Sequence, residues 1–167
     1  TINDVTDFSG IQSGLIGLKH EIVDLRYEIE STVNSLIYRA EGKKIGISYE
    51  VSQYVPSQVI ADADKLRQII MNLADNALNN TNSGMITISV DNLGELDDGK
   101  AMLVFKVQDT GAGIRMDMAQ ELYIALGHKD SSLLLKIKGG GLGLAIAKDI
   151  CSLLKGDISF ESELGVG

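Results

Sequence analysis

With 167 residues, the chain is long enough for one domain with a sizeable core, or one domain and a short appendage. An apolar share of 44% is ordinary for a globular chain, no run is long enough to span a bilayer, and no charged start precedes an apolar signal segment. The net charge of −8 argues against a nucleic-acid partner, and the single cysteine, Cys151, excludes an internal disulfide and reads as a small buried side chain.

Ile2, Val5 and Phe8 recur at helical spacing until Gly10, Gly14 and Gly17 break the pattern, which predicts the tail of a helix followed by a hinge or strand. Asp24 is a natural helix cap, and Leu25, Ile29, Val33, Leu36 and Ala40 then form one apolar stripe. "KIGISYEV" alternates as a half-buried strand, with Ile45, Ile47, Tyr49 and Val51 on one face. The chain turns at Pro56 and runs through a short apolar segment to Asp62, a second cap, from which a helix is predicted to about Asn80. "GMITISV" and "AMLVFKV" read as strands joined by the polar hairpin loop "DNLGELDDGK". Beyond "QDTGAGI" the pattern is poor until a glycine-led helix, and "GDISFES" reads as a final strand. Helices interspersed with hairpin-joined strands predict an α+β sandwich, with helices on one face of a mixed sheet.

Three stretches carry chemistry. On the long helix, Leu66, Ile69, Ile70, Leu73, Ala74 and Ala77 make a broad apolar side. Asn72, Asn76 and Asn79 share another face, with Asn80 beside them. Asparagine is a mediocre helix former, and a solvated face would be better served by glutamate or lysine. Amides can instead hold a hard cation without the full charge that repels phosphate. A strand ends at Gln108, and Asp109 then sits at the mouth of a loop with Gly111 and Gly113, where a carboxylate can accept a hydrogen bond from a ligand amino group. Finally, Gly139, Gly140, Gly141 and Gly143 precede Leu144, Ala145 and Ile146, although each glycine costs up to ~1 kcal/mol in a helix. A helix opening on bare backbone presents unpaired amides and about half a positive charge. An acidic domain gains an anion site in this way.

Taken in order, "NLADNALNNT", "DTGAGI", "GGGLGLAIAK" and the closing "GVG" resemble the N, G1, G2 and G3 boxes of sensor histidine kinase catalytic domains. These domains belong to the superfamily shared with gyrase, mismatch-repair ATPases and heat-shock chaperones. The resemblance implies a two-layer α/β sandwich of the Bergerat type, with a mainly antiparallel sheet. It implies that residues 1–20 are the end of a dimerisation helix and a hinge. Residues 21–167 would then be the ATP-binding domain, with a mobile lid over about 114–138 and the last strand missing. Asn76 would hold magnesium with Asn72 assisting, and Asp109 would read adenine with Gly111, Gly113 and Ile114 alongside. The backbone of Gly139, Gly141, Leu142, Gly143 and Leu144 would meet the phosphates. Tyr123 and Leu126 would fill lid positions where the family usually has phenylalanines.

Some positions depart from the family. Asn79 and Asn80 stand where a basic residue and an aromatic or histidine are common, with Lys129, Lys136 and Lys138 as substitutes for the lost charge. His20 and His128 fit no phosphoacceptor pattern, so the acceptor is expected outside these residues and no catalytic side chain is assigned. Three functions fit: a histidine kinase using ATP and Mg2+, an ATPase of the same superfamily, and a non-catalytic nucleotide sensor. Asn72 occupies the place of the ATPases' water-activating glutamate, and an amide is no general base at neutral pH. The kinase reading implies three kinds of partner: dimerisation and histidine-phosphotransfer helices, a response regulator receiver domain, and a second copy in a parent homodimer. It implies a cytoplasmic domain and leaves the parent's membrane anchoring open.

Overall fold

The computed structural model describes residues 17–96, 98–137 and 141–167. Of the stretch predicted as the end of a dimerisation helix and a hinge, 1–20, residues 1–16 lie outside the described residues, as do Lys138, Gly139 and Gly140. The chain falls into two compact units, one spanning Lys19–Gly111 and the other containing Ala112–Gly167.

The first unit opens with strand β1 (Glu21–Asp24) and helix α1 (Leu25–Arg39). Asp24 caps α1 by accepting from the Tyr27 amide, as its position predicts. The predicted stripe of Leu25, Ile29, Val33, Leu36 and Ala40 is buried throughout. Strands β2 (Lys44–Val51) and β3 (Gln58–Ala61) follow, then helix α2 (Ala63–Asn80) and strands β4 (Ser83–Glu95) and β5 (Ala101–Asp109). The main sheet has the order β2-β4-β5, with β2 parallel and β5 antiparallel to β4. A separate ladder pairs β1 antiparallel to β3.

The sheet is mixed and open, and the helices pack their apolar stripes on it. Ile86, Ile88 and Val90 of β4 meet Leu25, Ile29, Val33 and Leu36 of α1 and Ile70, Ala74 and Ala77 of α2 in one core. This is the predicted α+β sandwich. Arg67 of α2 pairs with Glu28 of α1 at 2.6 Å, and Arg39 with Asp75 at 2.9 Å. These half-exposed pairs set register more than they stabilise.

Two sequence expectations need correction in this unit. Asp91–Glu95, expected in the hairpin loop, continue β4 past an irregularity between Asn92 and Gly94. Pairing of Gly94 with Met102 and Glu95 with Ala101 overrides the weak strand propensity of asparagine and glycine. The short apolar run after Pro56 is a strand, β3, whose partner β1 lies far off in sequence.

The second unit contains helix α3 (Met116–Gly127), a 3₁₀ helix (Ser131–Lys136) and helix α4 (Gly141–Leu153). Leu122, Ala125, Leu126, Leu134 and Ala145 form its core, with Ile158 and Phe160 packed against it. The region of poor pattern therefore contains an ordered helix. It escapes the periodicity test because Met116, Tyr123 and Ile124 are apolar yet exposed, so α3 has no clean polar face. The strand predicted at "GDISFES" does not form. Ile158, Phe160 and Ser162 alternate with the exposed Ser159, Glu161 and Glu163, but no described strand pairs with them. Alternation gives strand-like burial; only a ladder partner makes a strand.

Candidate functional site: an amide pair and an open helix start

Helix α2 begins where the buried Asp62 accepts from the Lys65 amide at 3.0 Å and the Lys19 amide at 2.9 Å. With its start fixed, the apolar side of α2 is committed to the core, and Asn72 and Asn76 fall on another face one turn apart. Both are half-buried. The Nδ2 atom of each is shielded from solvent and has no hydrogen-bond partner among the described residues. Such a group costs about 1–3 kcal/mol to leave unpaired. An amide can turn over and offer its oxygen in place of its nitrogen. Two inward amides one turn apart therefore suit a ligand bearing a hard cation, and the residues present fit magnesium. Among the described residues, no group of three or more His, Cys, Asp or Glu side chains could hold a metal. A cation here would complete its coordination with oxygens from its ligand or from water.

Asn79 and Asn80 are exposed at the end of α2. Asn80 Nδ2 donates to the Asn76 carbonyl at 2.8 Å, satisfying one of the last-turn acceptors of its own helix. The next residue, Thr81, is buried and ends the helix by donating its amide to Ala77. Its hydroxyl then reaches Asp109 Oδ1 at 3.3 Å, and the Gly111 amide donates to the same oxygen at 2.9 Å. Asp109 is the last residue of β5, paired with Ile86 on β4. One carboxylate oxygen is thus engaged, and the other takes no hydrogen bond among the described residues. The structure brings Asn80, Thr81, Asp109 and Gly111 together at one end of the sheet. Thr81 was not foreseen, because a threonine past a helix end looks like any other turn residue.

In the second unit, Gly113 has a φ of +66°, and a Cβ there would lie 2.2 Å from the Glu163 carbonyl oxygen. Only glycine fits. Ile114 donates its amide to Ser162 Oγ at 2.8 Å, and Gly165 donates to the Ala112 carbonyl at 2.8 Å. The "GAGI" loop and the closing "GVG" are therefore stitched together, with Ser162 as a connecting residue whose role the sequence did not reveal.

Helix α4 opens at Gly141, so the amides of Gly141, Leu142, Gly143 and Leu144 have no carbonyl partner in their own helix. Gly141 has a second constraint, since a Cβ there would sit 1.9 Å from the Leu134 carbonyl oxygen. Farther along α4, Lys148 is only 6% exposed. Its Nζ donates to the carbonyls of Ala125 at 3.0 Å, Leu126 at 2.7 Å and His128. Burial pushes the neighbouring Asp149 carboxyl above its usual range, an effect opposed by the Lys148 ammonium. Burial pushes the Cys151 thiol up to about 11, with Asp157 adding to the shift. A thiol held protonated is a poor nucleophile.

Of the predicted lid residues, Leu126 is buried in the second core. Tyr123 is exposed, although its ring contacts Phe160 with centroids 5.5 Å apart and planes tilted by 59°. Lys129 and Lys136 are exposed. No helix among the described residues is long and apolar enough to cross a membrane.

Each unit by itself thus offers polar groups suited to a phosphate-bearing ligand: neutral amides on α2 in the first, and first-turn backbone amides on α4 in the second. Residues 61–167 match the family described as histidine kinase-, DNA gyrase B-, and HSP90-like ATPase, and the chain belongs to that family. Within that family, the relatives the chain resembles are histidine kinases. The chain is 34% identical over 163 residues to hybrid signal transduction histidine kinase K of Dictyostelium discoideum, covering 94% of this chain and 13% of that protein. Its identity to signal transduction histidine-protein kinase BarA of Escherichia coli K12 is also 34%, over 97% of this chain and 18% of that protein. The chain thus spans less than a fifth of the length of either relative. Among solved structures, it resembles full-length ShkA in complex with AMPPNP at a TM-score of 0.78 and 30% identity, covering 99% of this chain and 33% of that one.

Proposed function

We propose that this chain is the part of a sensor histidine kinase that binds Mg-ATP and presents its γ-phosphoryl group to a histidine on a dimerisation domain outside these residues. The observation that carries the proposal is the pair of buried, unpartnered amides of Asn72 and Asn76. Asn76 would hold the magnesium ion and Asn72 would assist it. When bound, magnesium supplies charge neutralisation for the phosphates, a main requirement of phosphoryl transfer beside positioning. The free oxygen of Asp109 would accept a hydrogen bond from the adenine amino group. Gly111, Gly113 and Ile114 would frame the base. The amides of Gly141, Leu142, Gly143 and Leu144 would meet the phosphates, and Gly139 would join them. Asn79 and Asn80, both exposed, would line the nucleotide more loosely than the basic and aromatic residues common there.

AMPPNP bound to the ShkA relative supports a nucleotide ligand. In this reading, residues 1–20 belong to a dimerisation helix and hinge, and 21–167 to the catalytic domain. Residues 114–138 act as its lid. The partners are the parent's own histidine-phosphotransfer helices, a second parent copy and a response regulator receiver domain, with the catalytic domain on the cytoplasmic side.

Calorimetry with ATP, with and without magnesium, tests the proposal. Wild type should bind ATP in a magnesium-dependent way, and Asn76→Ala should lose most of that dependence. Removing an unpaired buried amide should leave the melting temperature unchanged or slightly higher. Equal affinity in the variant would take Asn76 out of the site, and a wild type blind to ATP would overturn the reading.

A further inference from the structure

The buried ammonium of Lys148 has no part in the nucleotide chemistry proposed above. Its partners are three main-chain carbonyls, those of Ala125, Leu126 and His128, and all belong to the last turn and cap of α3. These are the acceptors that a helix end leaves unpaired, and they carry the negative end of its dipole. Arg115 gives the start of α3 no side-chain cap, so Lys148 is the main polar restraint described for this helix. The same helix α4 meets the 3₁₀ helix at Gly141, where the missing Cβ lets the Leu134 backbone approach.

We propose that Lys148 is a positioning residue, a clasp that fastens residues 116–136 to the helix whose first amides meet the phosphates. Its effect on nucleotide rests on the function proposed above; its effect on the segment does not. A cation on three carbonyls forms charge-assisted hydrogen bonds that are sheltered from water. Releasing it uncovers several acceptors at once and frees the end of α3 to fray.

The test compares Lys148→Met, which keeps the stem and removes the charge, with Lys148→Gln, which keeps a neutral donor. Hydrogen exchange is measured without nucleotide, and release of a fluorescent ATP analogue is measured separately. Exchange over residues 122–136 should rise about tenfold or more in the methionine variant, the loss expected for a charge-assisted bond. The glutamine variant should fall between it and wild type, and residues 19–111 should keep their protection. Analogue release should accelerate in the same order, with association little changed. Unchanged exchange over 122–136 in both variants would sink the clasp, as would a uniform rise across the chain. Faster exchange with unchanged release would sink its role in retaining nucleotide. If wild type bound no nucleotide, the functional proposal would fail while the exchange comparison still decided the clasp. If the methionine variant did not fold, the glutamine variant would decide the same questions.

Discussion

At Asp109, one carboxylate oxygen is engaged by Thr81 and Gly111, which fixes the direction of the other. A free acceptor held in this way suits an amino group and opposes a carbonyl, and that is the difference between adenine and guanine at the ring position concerned. A mismatched buried polar pair costs about 1–3 kcal/mol. GTP should therefore bind at least about tenfold more weakly than ATP in a competition titration, and equal affinities would remove Asp109 as base reader. Asp109 was singled out through the order of the motifs rather than by itself, since a lone carboxylate before a glycine loop reads as a plain turn. Lys148 was not legible. In sequence it is one more lysine on an amphipathic helix, and only the fold shows that it is buried against carbonyls from residues 125–128.

Helix α2 presents the amide pair only if its start and rotation are fixed; its apolar side in the core sets the rotation, and Asp62 holds its first turn. Its carboxylate caps the helix and also holds the Lys19 amide. Asp62→Ala should cost about 1–2 kcal/mol of stability in denaturant melts, at the upper end for a lost cap because a second donor is stranded. A cost indistinguishable from zero would show that packing alone sets the helix start. Elements of this kind were readable from the chain: α1, α2, β2 and the glycine-led α4 have strong periods or clear caps. The misses have one cause each. β1 and β3 have four residues apiece and pair across a long sequence gap, leaving no local period. α3 lacks both a side-chain cap and a polar face. "GDISFES" alternates correctly but lacks a described partner.

On the scale of the whole chain, two units have separate cores, and the match to relatives covers less than a fifth of their length. If the chain is the catalytic domain proposed above, it should bind ATP and hydrolyse it very slowly, because the amide proposed to assist the metal, Asn72, cannot act as a general base. Supplying the parent's histidine-bearing helical segment in trans should yield an acid-labile, base-stable phosphohistidine, read by radiolabel transfer. Brisk hydrolysis by the chain alone, with no further gain from Asn72→Glu, would favour an ATPase. Tight ATP binding without transfer, even after the segments are covalently rejoined to raise their effective concentration, would favour a nucleotide sensor. The ordered boxes made the family legible. The acceptor was not, because neither His20 nor His128 fits its pattern.

The start of α4 also governs what mutagenesis can reveal. Donors at Gly141, Leu142 and Gly143 belong to the main chain, so no exchange of side chains deletes them. An alanine scan through this turn would therefore be misleading. Gly141→Ala would look severe because its methyl group strikes the Leu134 carbonyl, while Leu142→Ala would say nothing of the Leu142 amide because that amide remains in place. The amides themselves must be probed by backbone chemistry, such as replacing a peptide bond with an ester, which removes the donor and leaves every side chain intact.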